Sequence, residues 1–102
     1  MDYLAETASA IRAELPADVL PDGDVHALML IYAVLSRAKG PAVTAEDIHD
    51  AWAAWMSATD SQHPSIRPFS ELSEDVKAQD EPFVEAVRRV GVRLLSHERG
   101  AA

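Results

Sequence analysis

Apolar positions recur along this chain at spacings of three and four, and prolines and glycines cut the recurrence into separate segments. Between Tyr3 and Leu15, the residues Leu4, Ala8, Ile11 and Leu15 share one side of a helix that Pro16 ends. A link, PADVLPDGD, follows. From Val25 the run VHALMLIYAVLSRAKG is apolar on nearly every side, which predicts a central helix. Gly40 and Pro41 stop it, with Arg37 and Lys39 at the negative end of its dipole. Thr44 with Asp47 makes a capping-box-like start for a helix over 45–58, whose apolar side carries Ile48, Trp52, Trp55, Met56 and Thr59. Ser73 opens a short helix at SEDVKAQ. The last long helix starts near DEPF, with Asp80 or Glu81 as cap and Pro82 in its first turn. Phe83, Val87, Val90 and Leu94 form its buried stripe, with Val84, Gly91 and Leu95 beside it and Arg88, Arg89 and Arg93 on a solvated side.

Strand-like alternation is missing, and the β-branched residues sit inside helical periods. The fold class is therefore all-α: a compact single-domain bundle of four main helices with a short fifth, spanning residues 1–97 and followed by a frayed tail at 98–102. One segment is neither helix nor disposable link. In HPSIRPFSEL, Pro64 and Pro68 restrict the backbone while Ile66, Phe69 and Leu72 require burial. That combination predicts an ordered His-Pro/Pro-Phe strap lying across the bundle.

Composition narrows the function classes. At 102 residues and 48% apolar content the chain supports one core and no separate substrate domain. No apolar run approaches the ~18 residues of a membrane span, and acids stand near the amino terminus where a signal peptide carries bases; the expected location is cytoplasmic. The absence of cysteine excludes disulfides and thiolate chemistry. A net charge of −8 and a pI near 4.7 oppose phosphate neutralisation, so direct nucleic-acid binding is not expected. The acidic surface serves solubility, or docking onto a basic protein partner.

Catalytic patterns are wanting. There is no glycine-rich phosphate loop, no glycine-flanked serine and no His-Glu-x-x-His zinc motif. Glu46, His49 and Asp50 share part of one helix at spacings that suit a metal, but the first turn of a helix attracts the same acids. Neither a metal nor a cofactor is expected, no residue is assigned a catalytic role, and the chain reads as a non-enzyme.

From Thr44 onward, AEDIHDAW followed by HPSIRPFSELSEDVKAQDEPF and a helix resembles the ryanodine-receptor repeat domain, in its single-copy bacterial and phage form. Ile48, His49, Trp52, His63, Pro64, Ile66, Pro68, Phe69, Leu72, Lys77 and Asp80 carry the resemblance, over residues 44–95. Residues 1–43 match nothing in that repeat and resemble small proteins of actinobacteria and their phages. The resemblance implies a small-ligand-binding module in which a purine nucleotide or related metabolite stacks near Trp52, with His49, His63 and Arg67 completing the site. The alternative is an acidic protein–protein interaction protein of a phage or mobile element, with Trp52 as core. A homodimer suits either version.

Overall fold

The computed structural model describes residues 2–101, with side chains described as far as Ser96. Its five helices are α1 (Tyr3–Ala13), α2 (Val25–Lys39), α3 (Ala45–Ser57), α4 (Glu74–Ala78) and α5 (Glu81–Ala101). Four are long and one is short, and no strand occurs among the described residues.

The starts of α1 to α4 are each fixed by a side-chain acceptor for an otherwise orphaned backbone N–H. Asp2 accepts from Ala5 at α1, Asp24 from Ala27 at α2, and Ser73 from Val76 at α4. At α3 the box is reciprocal: Thr44 Oγ1 accepts from the Asp47 N–H, and the Asp47 carboxylate accepts from the Thr44 N–H. Lys39 Nζ donates to the same carboxylate at 2.8 Å, tying the end of α2 to the start of α3. Together with the Thr44 contact this holds the Asp47 carboxyl below its ordinary range. Thr44→Ala is accordingly expected to lower stability by about 1 kcal/mol, read as a reduced urea midpoint with unchanged slope.

α2 is the central element, as its all-round apolar pattern predicts. Its Leu28, Met29, Tyr32 and Ala33 meet Ala8, Ile11 and Leu15 from the first segment, Val43 and Ile48 at α3, and Phe83, Val84, Ala86, Val87 and Val90 from α5 in one cluster. Inside that cluster Ser36 Oγ donates to the Val87 carbonyl at 3.0 Å, so this buried hydroxyl has its partner. Residues 2–43 therefore form about half of the core and are not an appendage.

Several details differ from the sequence pattern. α1 ends at Ala13, although Leu15 is still buried, because Leu15 turns into the core from the loop. Thr59 and Leu95 are exposed. Arg88 and Arg93 are not merely solvated: Arg88 Nε donates to the Val43 carbonyl at 2.6 Å, and Arg93 pairs with Glu14. Helix α5 continues past His97 to Ala101, through most of the stretch expected to fray; Ala102 lies outside the described residues. No described helix is long and apolar enough to cross a membrane.

The strap from residue 58 to residue 72 is held by turns and by a 3-10 helix at Phe69–Glu71. Leu72 is buried, while Ile66 and Phe69 are half-buried. The strap thus covers one side of α3, which positions the site.

Candidate functional site

α3 points two rings, His49 and Trp52, at the strap. His49, one turn after the Thr44 cap, is 2% exposed, and its Nε2 lies 2.7 Å from the Arg67 carbonyl oxygen. A carbonyl only accepts, so Nε2 carries the proton and, in the neutral ring, Nδ1 is bare. The same imidazole stacks on Trp52, with centroids 5.7 Å apart and planes at 26°, and tilts against Phe69 at 6.1 Å. His63 meets Trp52 edge-on at 5.1 Å and 82°, and its Nδ1 accepts from the Ser65 N–H. The indole of Trp52 is therefore bracketed by two imidazoles, each oriented by a backbone group of the strap.

Beside these rings opens a cavity of about 510 Å³. His49, Trp52 and Met56 wall it from α3, His63 and Ser65 from the strap, Leu28 and Tyr32 from α2, and Asp80 and Phe83 from the start of α5. Val19 and Pro21 of the α1–α2 link close a further side. The volume lies within the ~300–1,000 Å³ typical of ligand pockets.

Asp80 is the residue that the sequence pattern misassigns. Its backbone carbonyl accepts from the Phe83 and Val84 N–H groups, as a residue preceding a helix should. Its side chain does not cap; it lines the cavity, and Oδ2 is buried with no hydrogen-bond partner. Burial raises the Asp80 carboxyl to about 6, a positive His49 would pull it down, and neighbouring Glu81 pushes it up. Tyr32, tilted against Phe83 at 5.7 Å, has its hydroxyl held above the ordinary range, first by burial and then by the charge of Asp80. An acid, a phenol and two imidazoles thus share one aromatic-walled cavity.

Of the four expected site residues the fold brings three together: His49, Trp52 and His63. Arg67 is not among them. Its carbonyl accepts from His49, and the residue lines a separate shallow groove with Glu46, Asp50 and Phe69. Extended strap residues present carbonyl and side chain in different directions, and here the carbonyl takes the inward one. Trp52 is half-buried, neither sealed core nor free surface. Trp55 donates its Nε1–H to the Asp24 carbonyl at 2.9 Å and packs near Gly23, away from the cavity. Glu46 and Asp50 are exposed where His49 is buried, so the three do not converge, and no described group of three such side chains could hold a metal.

What the fold and cavity define is a small all-α domain whose central helix, strap and last helix enclose an aromatic cleft with one unpaired acid. The chain belongs to the family described as a domain of unknown function (DUF7701), whose model matches residues 2–92, the span that supplies every wall of the cleft. No curated protein and no solved structure matches it.

Proposed function

We propose that this domain is a non-enzymatic small-ligand-binding module whose site is the cavity beside Trp52. The observation that carries this reading is the Asp80 carboxylate, held in that cavity with a buried oxygen that no protein donor satisfies. An unsatisfied buried acceptor costs free energy, and a fold retains such a group where a ligand completes it. The surrounding groups suit recognition more than reaction. His49 and His63 are each committed to a strap backbone group; Ser65, which shares the cavity wall, meets His63 through its backbone N–H and so occupies the ring nitrogen that would otherwise act as a base. The likeness of residues 44–95 to the ryanodine-receptor repeat supports the same class. It does not support a phosphate contact from Arg67, whose side chain lies outside the cavity lining. A planar nitrogen heterocycle against the accessible part of the Trp52 indole, with a donor toward Asp80, fits better than a nucleotide bound through its phosphates.

A thermal-shift screen of the full chain against nucleobases, nucleosides, nucleotides and small amines tests this. A binder at 100 times its Kd is expected to stabilise by about 2.7 kcal/mol, a rise of roughly ten degrees or more for a domain of this size. In an indole N–H spectrum the Trp52 signal should move and the hydrogen-bonded Trp55 signal should stay. Trp52→Ala, or His63→Ala if the first variant folds poorly, should abolish the shift. A flat screen would overturn the reading and favour the acidic surface as a dock for a protein partner.

A further inference from the structure

Asp80 is the one acid on the cavity wall, and neither lysine nor arginine stands there with it. The nearest base in sequence is diverted: Lys77 Nζ sits 5.3 Å from the Phe69 ring centroid and pairs with Glu74. Three aromatic side chains, Tyr32, Trp52 and Phe83, complete the wall. A carboxylate without a protein counterion, framed by π faces, is the arrangement that accepts positive charge. The domain's net charge of −8 adds a field that draws cations and opposes phosphorylated ligands. Rotation about the soft terminal torsion of Asp80 presents either oxygen to the cavity.

Resting on the reading of this cavity as a ligand site, we infer that its ligand class is a small organic cation, an amidinium or ammonium group donating to Asp80 while its carbon body lies against Trp52, Met56 and Phe83. The groups that act on the carboxylate are Tyr32 from α2, His49 from α3 and Glu81 from α5, and His63 lines the same cavity from the strap. Binding needs the ionised carboxylate, so affinity rises with pH as Asp80 loses its proton.

The test is calorimetric titration of the full chain with benzamidine, adenosine and AMP at pH 7.5 and pH 5.0. Benzamidinium is expected to bind at least tenfold more tightly than AMP, and to weaken about tenfold at pH 5.0, the loss set by an acid titrating near 6. Asp80→Asn should reduce benzamidinium affinity at least tenfold at pH 7.5, whereas Glu46→Gln, at an exposed acid outside the cavity wall, should change it less than twofold. At pH 6 the unsubstituted protein should release about half a proton per bound benzamidinium, read from titrations in buffers of different ionisation enthalpy. That measurement does not depend on how the variants fold. No proton release, or benzamidinium binding that survives Asp80→Asn, would overturn the inference. Binding of adenosine or AMP without benzamidinium would sink the cation and leave the ligand site standing. No binding by these probes or by the wider screen would sink both.

Discussion

Gly91→Ala is expected to destabilise the domain by about 3 kcal/mol, lowering its thermal midpoint by roughly 12 °C or more. The reason is a backbone-to-backbone approach where α5 crosses the end of α2. A Cβ placed on Gly91 would lie 2.5 Å from Gly40 Cα and 2.6 Å from its carbonyl carbon. Main-chain atoms have no rotamer through which to yield, so the helices would have to separate. Separation would loosen the adjacent Ser36–Val87 hydrogen bond and the packing of the half-buried Leu94. Gly40 is itself held at φ +56°, ψ −130°, a conformation that side-chain-bearing residues avoid. Gly40→Ala meets strain of a different kind, because its nearest new neighbours would be 3.8 Å away and the cost would come from the dihedral alone. For a domain whose total stability is about 5–15 kcal/mol, the Gly91 change removes a large share. A calorimetric midpoint lowered by less than about 4 °C would show that the crossing relaxes and that this account of it is wrong.

That crossing also marks how far the sequence reads. Gly40 before Pro41 announces the end of α2, and the Phe83, Val87, Val90 stripe announces α5, because both depend on neighbours a few residues away. The pairing of Gly40 with Gly91 joins residues from two helices far apart in sequence and follows from neither pattern. The same division runs through the site. Thr44 and Asp47 fix where α3 begins, and the helical repeat then places His49 and Trp52 three residues apart on adjoining positions. His63 reaches them through a strap whose prolines and apolar residues betray its order. What local patterns leave open is which group of each strap residue meets α3; at Arg67 it is the backbone carbonyl, accepting from His49, and the residue is absent from the cavity wall. Asp80 is legible as a cap and as one position of the repeat resemblance, but not as a cavity acid, since an acid just before a proline-containing first turn has that ordinary use. Exposed Glu81 supplies the first-turn charge of α5, which leaves Asp80 surplus to the helix. Its inward turn depends on the space left by Tyr32, His49 and Phe83, a tertiary property.

Asp80→Asn is expected to make the domain more stable at pH 7.5 by about 1 kcal/mol, a rise of roughly 4–8 °C, with no gain near pH 3.5. The sign follows from the direction of the shift. The carboxyl titrates at about 6 in the folded protein against 3.8 for its ordinary value, so between those limits the native state binds more protons than the unfolded chain. Stability associated with Asp80 is thus fully present below about pH 4 and is lost as pH rises through 6. The asparagine amide is neutral at every pH, and leaving it imperfectly paired costs less than leaving a charge so. The magnitude is kept well below the full value of the shift because the carboxyl is only half-buried and solvent screens it. Paired denaturation curves at the two pH values decide the matter. A variant less stable than the parent at pH 7.5, or one displaced equally at both, would mean that Asp80 has a protein partner and supports the fold. A gain confined to high pH, together with loss of benzamidinium binding, would place Asp80 among residues retained at a cost in stability because a ligand needs them.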